Sequence, residues 1–166
     1  EGSTIDGGVA LAERVSGETA VGHTLAYALA VEEAAGLSMP PEGARLRAVL
    51  LELERLYNHV ADLGALANDT GFGLAHAHSL ALRERLLRLN ATVSGHRLLR
   101  GAITPGAVRL QRLPDLEVVR DVAAEAAELA DLTLRHSGIH DRFAGTGVLT
   151  AEQAKDLCGL GVVARA

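Results

Sequence analysis

The stretch EGARLRAVLLELERLYNHVADLGALAND, Glu42 to Asp69, decides the fold. Leu46, Val49, Leu50, Leu53, Leu56, Val60, Leu63 and Ala67 recur at three- and four-residue steps, the spacing that gathers side chains on one face of an α-helix. Pro41 and Glu42 open the run; proline is preset for the first helical position, and an acid there meets the positive end of the helix dipole. A helix this long with one apolar stripe needs other helices to cover it.

The flanking sequence supplies them. Upstream, ETAVGHTLAYALAVEEAA predicts a helix from Glu18 to Ala35, stopped by Gly36 with Pro40 and Pro41 beyond, since glycine takes the left-handed cap position and proline cannot continue a helix. Downstream, NDTGFG is a turn, and a third helix from Leu74 to His96 carries Leu82, Leu86, Leu89 and Val93 on one stripe. So short a connection makes the two helices antiparallel neighbours. RGAITPGAVRLQRLPD interrupts the pattern with Gly101, Pro105, Gly106 and Pro114. A fourth helix, Asp115 to His140, then starts on a good N-cap residue and shows Val118, Val122, Leu129 and His136 on its stripe. After a loop at FAGTGVL, Thr150 and Gln153 have capping-box spacing before a short helix closed by Gly159. The expectation is all-α: a single domain over residues 1–166, a bundle of about four long helices plus a short C-terminal one.

Composition agrees and excludes. The 166 residues are 48% hydrophobic but only 2% aromatic, so the core is aliphatic and rich in alanine, which lets helix axes approach closely. A net charge of −5 gives no basic footprint for nucleic acid. The lone cysteine, Cys158, rules out a disulfide framework or a cysteine-ligated cluster assembled within the chain, and fits a reducing compartment. No apolar run approaches the roughly 20 residues of a membrane span, and EGSTIDGG lacks the regions of a secretory signal. The chain opens on Glu1 without methionine and ends on GVVARA, which reads as a piece of a longer polypeptide.

Few residues promise chemistry. His76 and His78 are the closest histidine pair, but two-residue spacing on a helix turns the rings about 200° apart, unlike the i, i+4 pair that shares an ion. Glu52, Arg55, His59 and Asp62 form a polar line beside the stripe of the long helix. Such a line can orient a buried site or simply be a salt-bridged flank, the commoner use. Glu32 and Glu33 could lend a carboxylate to proton transfer, though a glutamate near a helix end usually faces water. No P-loop, dinucleotide fingerprint or nucleophile elbow is present.

One segment carries more. ERVSGETAVGH, Glu13 to His23, resembles the first metal-binding motif of nickel-iron hydrogenase large subunits, Arg-x-Cys-Gly-x-Cys-x-x-x-His. Arg14, Gly17 and His23 match in register, while the two cysteine positions hold Ser16 and Thr19. The stretch from His23 to Phe72, RERLLRLNATVSGHRLLRGAITPGAV and RFAGTGVLTAEQAKDLCGLGVVARA are also similar to energy-converting hydrogenases of the formate hydrogenlyase type. The 49 kDa component of respiratory complex I belongs to the same superfamily and has lost the metal site.

The resemblance implies a fragment of a large subunit of a hydrogenase-like or NADH-quinone oxidoreductase-type complex. It implies an oxidoreductase parent that packs against a small iron-sulfur subunit, with quinone and a partner-held iron-sulfur cluster as its redox groups. That parent would lie on the cytoplasmic face of the inner membrane, held through partner subunits, and the fragment alone would be inactive. Neutral hydroxyls neither bridge nor charge-balance two soft metals as thiolates do, so no metal and no catalytic residue is assigned. The family's second cysteine pair lies outside the segment matched here. Arg14 and His23 flank the vacated ligand positions Ser16 and Thr19, the segment from Ser16 to His23 is read as lying at a partner interface or a cavity wall, and Glu13 or Glu18 could hold Arg14 in the absence of a partner. The plainer alternative is that Ser16 starts the next helix and His23 is ordinary packing. At the level of the parent, the alternative is a degenerate subunit with a purely structural or assembly role.

Overall fold

A computed structural model describes residues 2–157. Seven helices occupy most of them: α1 (Ile5–Ala12), α2 (Ala20–Ala35), α3 (Pro41–Asp69), α4 (Gly73–Ser94), α5 (Leu116–Arg135), α6 (Ser137–Phe143) and α7 (Ala151–Asp156). A two-stranded antiparallel hairpin, β1 (Ile103–Thr104) and β2 (Ala107–Val108), lies between α4 and α5. The all-α expectation holds, with the long helices close to their predicted limits.

The ends follow from local chemistry. Gly36 at φ 64° closes α2, and the Leu37 N–H donates to the Glu32 carbonyl at 2.9 Å, satisfying an otherwise orphaned acceptor. Pro41 occupies the first position of α3. Gly95 at φ 84° closes α4, and the Asp115 carboxylate caps α5 by accepting from the Glu117 N–H at 2.9 Å. The Thr150–Gln153 capping box forms at α7, whereas Gly159, expected to close that helix, and Cys158 lie outside the described residues.

Three features depart from the sequence reading. Helix α1 falls in a glycine-containing stretch with no clear stripe; the Thr4 hydroxyl caps it by accepting from the Gly7 N–H at 3.1 Å. The interruption at Pro105 and Gly106 is a hairpin turn, with Gly106 at the positive φ of 74° that a type II turn needs there. The predicted helix to His140 breaks at His136, which adopts an extended conformation between α5 and α6. Ser137 and Gly138 are weak helix formers. The break sends Ile139 into the interior, and the His136 ring settles 4.9 Å from that of Phe72.

Helices α3 and α4 make the central antiparallel pair, and α5 packs on α4. Leu50, Leu53, Leu89, Val93 and Ile103 form one buried cluster; Tyr57, Val60, Leu82, Leu86, Val122 and Leu129 form another along the same pair. The α4 stripe is buried as expected. On α3 the buried face is rotated from the purely apolar reading. Arg47, Glu54, Tyr57 and Gly64 join it, while Val49 is 40% exposed.

Glu32 shows why a charge can sit inside. It is buried rather than facing water, and both its oxygens accept from Arg47, at 2.5 and 2.9 Å. Arg47 also donates to the Thr104 carbonyl at 2.9 Å, and the Gly106 N–H donates to Glu32 at 2.6 Å. The hydrogen bonds from Arg47 hold the Glu32 carboxyl below its ordinary range, against the opposing effect of burial. The pair ties α2, α3 and the hairpin together. Removing one partner of such a pair leaves a buried charge, at about 3–5 kcal/mol. Glu33, its neighbour, is exposed.

Candidate functional site

The segment from Glu13 to Thr19 is the loop between α1 and α2, and it is held from three directions. Glu13 accepts from the Gly101 N–H at 2.5 Å. The Glu18 carbonyl accepts from the Tyr57 hydroxyl at 2.5 Å and from Asn58 Nδ2 at 3.1 Å. At the start of α2, Glu54 reaches across from α3: its carboxylate accepts from the N–H groups of Val21 at 2.6 Å and Gly22 at 2.8 Å. Two donors of the first helical turn, orphaned in any helix, thus find a distant acceptor. Gly22 permits the approach, because a Cβ there would stand 3.2 Å from Glu54 Oε1.

That arrangement corrects two expectations. Ser16 does not start α2; Thr19 is the cap residue, its side chain makes no capping bond, and Glu54 does the work instead. Arg14 is exposed and pairs with neither Glu13 nor Glu18. Glu13 is committed to Gly101, and Glu18 contacts Arg83 at 3.4 Å. His23 sits half-buried in the first turn of α2.

Ser16 and Thr19 face a cavity of about 420 Å³ between the loop and α3. Across it stand Glu54, Asn58, His59 and Asp62, with Glu18 and Arg55 at the edge. The polar line read from the sequence is therefore partly a flank and partly a wall. Arg55 pairs with Glu52 on the exposed side of the helix, while His59 and Asp62 line the cavity. Glu54 is the residue the sequence reading missed. Burial raises its carboxyl above the usual value of 4.5, opposed by the hydrogen bonds from Gly22 and Val21. Its i+4 spacing from Leu50 was the available signal, masked by counting only apolar positions.

A nickel-iron centre does not fit this donor set. The two positions of the motif carry hydroxyls, whose pKa values lie far above neutrality, and Glu54, across the cavity, is committed to two backbone N–H groups. Among the described residues no group of three or more His, Cys, Asp or Glu side chains is placed to hold a metal ion. His76 and His78 diverge: the first is half-buried with Nδ1 unpartnered, the second is exposed, 3.9 Å from Glu125. No described helix is long and apolar enough to cross a membrane. What remains is a cavity lined by hydroxyl, carboxyl, amide, imidazole and guanidinium groups together with Leu51.

The chain is 32% identical to hydrogenase-4 component G of Escherichia coli (strain K12) over 152 residues, 89% of the chain and 27% of that protein. It is 31% identical to formate hydrogenlyase subunit 5 of the same organism over 161 residues, 94% of the chain and 28% of the relative. NADH-quinone oxidoreductase subunit 4 of Thermus thermophilus is 33% identical over 140 residues, 81% of the chain and 34% of its own length. The chain thus spans about a quarter to a third of these relatives. A family model described as respiratory-chain NADH dehydrogenase, 49 Kd subunit, matches residues 69–166, downstream of the loop from Glu13 to Thr19. With more than half the chain under that match and the hydrogenase relatives aligned over most of it, the chain belongs to the complex I 49 kDa and nickel-iron hydrogenase large-subunit family.

Proposed function

We propose that the parent of this chain is an electron-transfer subunit of a hydrogenase-like or NADH-quinone oxidoreductase-type complex. Its first metal-ligand pair is replaced, and the pocket left behind forms one wall of a quinone-reducing cavity. The observation that carries this reading is the cavity itself, opening on Ser16 and Thr19 and walled by Glu54, His59 and Asp62. Loss of two thiolates without collapse of the space they served is what a reassigned site requires. A quinone headgroup needs hydrogen-bond donors at its carbonyl oxygens and a proton source as it is reduced. The hydroxyls of Ser16 and Thr19 and the His59 imidazole provide both kinds of group.

In this reading the electrons come from an iron-sulfur cluster held by a small partner subunit seated over the exposed side of the loop, where Arg14 is exposed and has no ion pair among the described residues. The parent lies on the cytoplasmic face of the inner membrane, attached through other subunits, and the segment described here is inactive by itself. The competing reading is a subunit that only holds an assembly together.

The test is Arg14→Glu in the full-length subunit within its complex. The expected result is loss of assembly with the iron-sulfur subunit, or at least a tenfold fall in quinone-linked electron transfer. Wild-type assembly with wild-type transfer would make the segment a structural remnant.

A further inference from the structure

The loop that walls the polar cavity has a second side. There, a cleft of about 710 Å³ opens between Gly17–Glu18, α4 and the turn from Gly95 to Arg100. Its chemistry is opposite in sign: Arg83, Arg97, Arg100 and His96 line it, against one acid, Glu18.

The four basic side chains are not equivalent. Arg97 is spent, donating to both oxygens of Glu84 at 3.1 and 2.6 Å. Arg83 is only weakly engaged: it contacts Glu18 at 3.4 Å, lies over the Tyr57 ring at 5.9 Å and leaves its Nε–H without an acceptor. Arg100 makes no hydrogen bond or ion pair among the described residues, and its Nε–H is likewise without an acceptor. Both guanidiniums border the same cleft. His96 Nδ1 accepts from the Leu98 N–H at 3.1 Å, which puts the neutral ring's proton on Nε2 and leaves a third donor.

The backbone at this wall of the cleft is unusual. Leu99, between the cleft residues Leu98 and Arg100, adopts φ 57°, a left-handed conformation rare for leucine, with its side chain buried. Such a conformation persists only where the surroundings enforce it, and it is concentrated at ligand sites. Burying Leu99 in this way leaves its neighbour Arg100 at the cleft wall.

We propose that this cleft is an oxyanion site, with Arg83 and Arg100 as charged donors and His96 Nε2–H as the neutral one. Two guanidiniums, one unpaired among the described residues and one held only by the long contact to Glu18, suit the paired oxygens of a carboxylate or phosphate. The site is separate from the cavity on the other side of the loop and stands whether or not that cavity takes a quinone. The oxyanion has two sources, free phosphate or a carboxylate presented by a neighbouring subunit.

The probe is inorganic phosphate, titrated at constant ionic strength into the full-length subunit and into its assembled complex, and followed by calorimetry. The expected result is saturable binding by the subunit, weakened at least tenfold by Arg100→Gln and unchanged by Arg120→Gln, which removes an exposed charge outside the cleft. Arg100→Lys, which keeps the charge but not the fork, is expected to fall between, and it serves if the glutamine variant does not fold. Binding by the subunit that disappears in the complex assigns the site to a partner carboxylate; binding by both assigns it to free phosphate. Absence of phosphate binding by the subunit, or equal effects of the Arg100 and Arg120 changes, overturns the proposal.

Discussion

Glu54 sits on a helix face that the apolar pattern assigns to leucines, and it is buried there because two backbone N–H groups at the start of α2 need an acceptor. Glu32 is buried for a different reason, its bidentate pairing with Arg47. The two carboxyls shift in opposite directions, so their contributions to stability lie in different pH windows. The Glu32 value is lowered; its stabilisation is present above 4.5 and lost as pH falls through the depressed value. The Glu54 value is raised; its contribution is full below 4.5 and lost as pH rises through the folded-state value. Replacing Glu54 with Gln removes the second window. Whatever the variant loses in capping at pH 4.5, its stability relative to the wild type improves between pH 4.5 and 7. Urea midpoints at the two pH values measure this, and parallel behaviour of the two proteins would refute the assignment.

At the scale of elements, α3 and α4 come together at Gly64. A Cβ placed there would lie 2.6 Å from Ser79 Cβ and 2.8 Å from its hydroxyl, which donates to the Val60 carbonyl. Gly64→Ala therefore has to push the central helices apart or break that hydrogen bond. Overpacking of this kind costs about 1–3 kcal/mol, outweighing the ~1 kcal/mol that alanine gains over glycine in a helix interior. The net expectation is a lower melting temperature, and an unchanged or higher one would contradict the close approach.

The long helices were legible because their stripes, caps and glycine stops point the same way. Helix α1 was not: it holds only eight residues, two of them glycine, and its buried positions, Val9 and Ala12, are too few to mark a period. The break at His136 was hidden because Val118, Val122, Leu129 and His136 continue one stripe across it. The hairpin was hidden because two-residue strands have no alternation to read. At the site, Ser16 and Thr19 were found only through the resemblance of their neighbours. Glu54 was missed because charge on a core face signals nothing until its partners, 32 and 33 residues away, are known.

For the whole molecule, the family and the helical fold are established, while the work done by the parent is carried by the proposal about the loop. A thiolate-free motif could have filled in; instead Glu54, Tyr57 and Gly101 hold the loop open on both sides. One side is an acid-walled cavity and the other an arginine-lined cleft, with Glu18 bordering each. The central claim is that the cavity over Ser16 and Thr19 receives quinone in the intact complex. Photoaffinity labelling of that complex with an azidoquinone, followed by peptide mapping, tests it most directly. The account predicts that the label falls on the loop from Ser16 to His23 and on α3 between Leu51 and Asp62, and that excess quinone displaces it. Displaceable labelling confined to other segments, with both of these peptides clean, would contradict it.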